Sequence, residues 1–165
     1  MPSTYTPIAT QTLGSAASSV TFSSISGSYT DLILIISGSN SSGDAAISVR
    51  TGNGSVNTSS VYSTTFLYGN GSSAGSSRDT SQTWAHPGRL DTSLSNSIIQ
   101  FLNYSNTTTN KTILSRGNDA TLTMATVSLV RDTSAINIIQ LQAQDGGAIN
   151  FTSGSTFTLY GVKSA

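Results

Sequence analysis

Serine and threonine occupy about a third of this chain, 32 and 24 of its 165 residues, and they are spread from end to end. Their hydroxyls compete for nearby backbone groups and weaken helix interiors, whereas Thr, Val, Ile, Tyr and Phe suit a pleated, half-buried surface. The expectation is an all-β protein whose exterior is polar without being charged. No stretch sustains a helical pattern over three turns. Thr133 to Gln144 comes nearest, but Ile136, Ile138 and Ile139 with alternating Gln read as a strand.

Strand-like segments separated by turn residues fall at 5–13, 19–25, 31–38, 45–51, 60–69, 80–85, 96–104, 111–116, 120–131, 136–144 and 155–163. Several alternate with the period that separates two sheet faces: Ile99 and Phe101 oppose Ile98, Gln100 and Leu102, and Phe157 and Leu159 oppose Thr158 and Tyr160. In 120–131 the apolar phase shifts from Leu122 and Met124 to Val127 and Leu129, which predicts a β-bulge near Ala125. The run Leu32 to Ile36 is apolar on both faces, so it is expected to be a central strand covered on both sides, one cover being a neighbouring subunit. The segments 37–44, 51–57, 68–77 and 144–148 are rich in Gly, Ser and Asn and read as connectors, their Asn-Gly and Asp-Gly pairs supplying the positive φ of tight hairpin turns.

A chain of 165 residues fits one domain, 1–165, which buries roughly two-thirds of the surface its unfolded form exposes. Residues 1–12 are read as an extended N-terminal arm, because Pro2 and Pro7 limit regular pairing. Seven Lys and Arg balance seven Asp, with no Glu and no two basic residues adjacent, so a nucleic-acid partner is not expected. Zero cysteine removes disulfides, thiolate catalysis and Cys-based zinc sites. The N-terminus lacks the basic and apolar regions of a secretory signal, and LILII is far shorter than a membrane helix requires. The expectation is synthesis and folding in the cytosol, with no membrane partner.

The chemical motifs are weak. Gly71-Ser72-Ser73-Ala74-Gly75 satisfies G-x-S-x-G, a motif that works by lifting a serine on a strand-to-helix turn toward a histidine, yet no helix follows it. One His and no Cys or Glu leave only loop carbonyls and Asp for a metal, with Gly117-Asn118-Asp119 the nearest approach to a calcium loop. A glycan hydrolase would need a pair of Asp carboxylates, which nothing singles out. No catalytic residue, cofactor or metal is therefore assigned, and the chain is expected not to be an enzyme. Contact chemistry is better represented. Trp84, His86 and Arg89 cluster around Pro87-Gly88, and Trp, Tyr and Arg dominate binding hot spots. With Tyr5 and Tyr104 they form the candidate interface set. Tyr104 opens the tract Asn103 to Thr112, whose neutral amides and hydroxyls suit either sugar hydroxyls or a plain loop.

The opening TYTPIATQTLGSAASSVTFSSISGSYTDLILIISG, the internal LYGNGSSAGSSR and NYSNTTTNKTILSRG, and the closing SGSTFTLYGVKSA together resemble small virion structural proteins of tailed bacteriophages, over nearly the whole chain. The resemblance implies an antiparallel β-sandwich, jelly-roll-like, of about ten strands. It implies a particle component on the virion exterior, either a capsid decoration (cement) protein or a tail-fibre or tail-tip module that recognises host surface glycans. In the first case the expected partners are further copies of the chain, as a homotrimer, and the major capsid protein.

Overall fold

The computed structural model describes residues 4–143 and 148–163. Two antiparallel sheets of unequal width face each other. The wide sheet has eight strands in the order β1 (Tyr5–Thr12), β13 (Thr156–Val162), β3 (Asp31–Gly38), β9 (Ser95–Leu102), β10 (Lys111–Asn118), β11 (Thr123–Val130), β6 (Tyr62–Gly69) and β7 (Ala74–Gln82). The narrow sheet runs β2 (Ser19–Phe22), β12 (Ile138–Gln142), β4 (Ala45–Asn53), with β8 (Ala85–Leu90) and the two-residue β5 (Ser55–Val56) sharing the far edge of β4. This is the expected all-β, jelly-roll-like sandwich.

Alternation decides what each sheet buries. From the wide sheet, Leu32, Leu34, Ile36, Ile99, Phe101, Ile113, Phe157 and Leu159 point inward; from the narrow sheet, Val20, Phe22, Ile47, Val49, Ile139 and Leu141 meet them. Removing an aliphatic side chain of this kind from water contributes about 1.5–3 kcal/mol. Tyr62 ties the sheets together, its hydroxyl accepting from the Thr51 N–H at 2.9 Å and donating to the Thr51 carbonyl at 3.3 Å. Burial pushes its phenol up from the ordinary value.

Four sequence expectations can be set against the structure, and three of them need correcting. The bulge near Ala125 is absent: β11 keeps unbroken register with both β10 and β6, and its inward face is Met124, Thr126, Ser128 and Val130. The apolar phase misled because two buried positions carry hydroxyls, while Val127 faces water. Second, β3 lies in mid-sheet as expected, with Leu32, Leu34 and Ile36 buried inside the sandwich and Ile35 on the other face 39% exposed in the single chain, on the side where a neighbouring subunit is the expected cover. Third, the supposed connector 68–77 is the tip of a hairpin, with β6 ending at Gly69 and β7 starting at Ala74 across the Asn70-Gly71 turn. Fourth, the segment 80–85 is the end of one strand and the start of another, so that Pro87-Gly88 lies within β8 rather than in a turn. The residues 144–147 of one expected connector lie outside the described residues. The N-terminal segment pairs with β13 along Tyr5–Thr12, with a register shift just after Pro7.

Candidate functional site

Because eight strands face a much narrower sheet, the β6–β7 end of the wide sheet overhangs β8. The inward faces of β6 and β7 and the edge of β8 enclose an open groove of about 370 Å³, lined by Phe66, Tyr68, Ser77, Asp79, His86, Gly88, Arg89 and Met124, with Ala46 and Leu122 at its ends. Sheet alternation puts Tyr62, Thr64, Phe66 and Tyr68 on one face of β6. The first two are buried beneath the narrow sheet, and the last two emerge where that sheet stops.

The position of β8 is set by hydroxyls. Its pairing with β4 shifts between Ile47 and Val49, a bulge that contains Pro87, whose ring nitrogen has no hydrogen to give to a ladder. Backbone groups released there meet the wide sheet: the His86 N–H donates to Thr64 Oγ1 at 3.3 Å, and Ser115 Oγ donates to the Pro87 carbonyl. Thr64 is linked in turn to Ser128 at 2.8 Å, and Ser115 to Thr126 at 2.6 Å. A strand edge that would otherwise bury unpaired polar groups is satisfied by side chains of the facing sheet.

Held in this way, His86 and Arg89 enter the groove with defined neighbours. His86 Nδ1 lies 3.4 Å from Asp79 Oδ2, and its ring packs against Phe66 and Trp84 at centroid distances of 6.3 and 6.1 Å. Trp84 occupies the short link between β7 and β8 under the Arg50 guanidinium, 5.0 Å from its ring centroid, while Arg50 Nε donates to the Thr83 carbonyl at 2.8 Å. Arg89 grips Asp44 with Nε and one terminal nitrogen, and its Nε lies 3.7 Å from Asp119 Oδ2. Burial pushes the Asp119 carboxyl up, but hydrogen bonds from the Thr121 hydroxyl and the Thr121 and Leu122 N–H groups, with the Arg89 charge, outweigh it and hold it below the ordinary carboxylate value. Those bonds make Asp119 the cap of its own turn.

The five sequence-selected contact residues divide three ways. His86 and Arg89 line this groove, and Trp84 packs against the His86 ring outside the lining. Tyr5 is exposed on β1, the opposite edge of the wide sheet. Tyr104 belongs to the core, fully buried with its hydroxyl donating to the Ser26 carbonyl, so it offers no contact surface. The neutral tract after it is closed on itself, Asn106 Oδ1 accepting the N–H groups of Thr108 and Thr109. Phe66, Tyr68, Asp79 and Asp44 were missed, although the Asn70-Gly71 turn pairs Tyr68 with Gly75 and Phe66 with Ser77 and so carried the signal. The G-x-S-x-G run forms that same turn, with the Ser73 hydroxyl donating to Asn70 Oδ1 at 3.2 Å.

The other feature of the wide sheet is its outer face. Neighbouring positions across the strands read Ile35, Ile98, Arg116, Ala125 and Leu67 in one row, and Ile33, Gln100, Leu114, Val127 and Thr65 in the next. Leu67 is 59% exposed and Val127 50%. The outer face of the narrow sheet, by contrast, aligns Thr21, Gln140 and Arg50.

No protein-family model matches the chain, and no curated protein matches it. Among solved structures it is similar to the galectin LEC-6 of Caenorhabditis elegans, with 10% sequence identity and a TM-score of 0.38, over 87% of this chain and 92% of that one.

Proposed function

We propose that this chain is a non-enzymatic structural protein of a bacteriophage particle, a decoration protein that seats on the capsid exterior against the major capsid protein. The observation that carries this reading is the aliphatic outer face of the wide sheet. Single exposed apolar residues are ordinary, but two adjacent rows across five strands in which six of the ten positions are Ile, Leu or Val, interrupted by Arg116, Gln100 and Thr65, support a surface that a partner covers. The polar outer face of the narrow sheet supports an orientation with the wide sheet toward the shell. A partner that binds only the assembled lattice stabilises that lattice by mass action. A homotrimer is the oligomer that suits positions where three capsid subunits meet.

The non-enzymatic part of the reading is supported by the fate of the one nucleophile motif, which forms a hairpin turn instead of a strand-to-helix elbow. The test is stoichiometry. Quantitative staining of gels of purified particles is expected to show the chain in hundreds of copies; a handful of copies per particle would sink the decoration role.

A further inference from the structure

The groove between β8 and the β6–β7 overhang lies on the opposite side of the wide sheet from the apolar outer face, so a chain seated on a shell by that face keeps the groove turned away from it. We propose that this groove is a binding site for a neutral saccharide, with one pyranose ring seated over Tyr68. The inference stands independently of the particle reading.

Three observations define the ligand. The first is a fixed aromatic surface. The Tyr68 ring lies across β7 at Gly75, where a Cβ would come within 2.8 Å of its Cζ and hydroxyl oxygen, so only glycine lets the ring settle there; it remains 40% exposed. With Phe66 and Met124 beside it, the floor offers apolar area to the C–H face of a sugar ring. The second is a set of oriented polar groups around that floor, with Ser77 and Asp79 on one wall and His86 and Arg89 on the other. Asp79 is held by His86, and Arg89 by Asp44, so these groups need little reordering to meet a ligand. Hydroxyls that both donate and accept match such a mixed rim.

The third is charge. The lining carries one carboxylate, Asp79, and one guanidinium, Arg89, whose charge is already met by Asp44 and Asp119 behind it, which disfavours an anionic ligand. Asp44 and Asp119 face Arg89, leaving Asp79 as a hydrogen-bond acceptor next to His86, so the groove holds no concentrated negative charge that would select an ammonium ligand. The volume, about 370 Å³, lies in the range of small-molecule sites.

The experiment is a titration of the isolated, isotope-labelled chain followed by amide chemical shifts. The probes are methyl glucoside, galactoside, mannoside and N-acetylglucosaminide, their β-linked disaccharides, and sialyllactose as the anionic member. At least one neutral probe is expected to bind with a dissociation constant of about 1–10 mM. The shifts are expected to centre on Tyr68, Ser77, Asp79 and His86. Tyr68→Ala should weaken binding by about tenfold, Tyr68→Phe should retain it, and Leu114→Ala on the opposite face should leave it unchanged. The proposal is overturned if no neutral probe binds at about 50 mM, if sialyllactose is the preferred ligand, or if Tyr68→Ala binds as well as the unaltered chain.

Discussion

Lys111, at the start of β10, is almost wholly buried, and its ammonium donates to the carbonyls of Thr109 and Thr133 at 2.7 and 3.0 Å. Desolvation pulls its pKa down from the ordinary lysine value, and the nearby Asp132 carboxylate opposes that fall. Lys111→Met keeps the bulk of the side chain but orphans two carbonyls, so it is expected to lower stability by about 1–3 kcal/mol, read from the urea midpoint. The carboxylates give the pH dependence. Burial raises the pKa of Asp119 and Asp132, but hydrogen bonds and the facing cations prevail, so both titrate below the ordinary 3.8 when folded. The unfolded chain then binds these protons more readily, so their stabilisation is complete above that value and is lost as pH falls through the lower folded values. Asp119→Asn should remove part of the acid-induced loss of melting temperature below about pH 4 and lower stability at neutral pH. An unchanged acid limb would contradict the assignment. None of this was legible in the sequence, where Lys111 opens an expected strand at the end of a polar tract and Asp119 stands in a polar turn, and only folding reveals what surrounds them.

Strand β8 shows how the serine and threonine excess is used. Its bulge at Pro87 rests on hydroxyls from β6 and β10, so Ser115→Ala leaves the Pro87 carbonyl and the Thr126 hydroxyl short of a partner. An expected loss of about 1–3 kcal/mol would be read by thermal melting, together with faster hydrogen exchange at His86; unchanged exchange would contradict the role given to these hydroxyls. At the other end of the wide sheet, Gly161 of β13 lies under the Tyr29 ring, and a Cβ there would come within 2.4 Å of it. Gly161→Ala is expected to destabilise by about 1–3 kcal/mol through overpacking. Most strands could be read from alternation, as with Ile99 and Phe101 against Ile98 and Gln100. The reading failed where inward positions are hydroxyls, as at Thr126 and Ser128, and where small residues form a strand, as in Ala74–Gln82. Those failures hid the groove: Trp84, His86 and Arg89 were found by residue type, whereas Tyr68 and Asp79 needed the hairpin register.

For the whole molecule, unequal sheets give two distinct surfaces, an aliphatic outer face and a polar groove behind it. Val127 and Leu67 are 50% and 59% exposed and lie outside the buried core, so Val127→Glu is expected to change stability by no more than about 0.5 kcal/mol. The same substitution should strip the chain from particles during purification. Retention at full occupancy would remove the outer face from the proposed interface. The absence of Glu, the pairing of Arg89 with Asp44 and the scarcity of charge elsewhere also mean that association should depend weakly on salt, as expected when apolar area rather than ion pairing drives it. The most direct test of the proposed role is electron cryo-microscopy of purified particles. The expected result is repeated density for the sandwich on the capsid exterior, with Ile35, Leu67 and Val127 against the shell and the β6–β8 groove facing outward. Density confined to the tail, or a chain seated on the capsid by its polar narrow sheet, would contradict it.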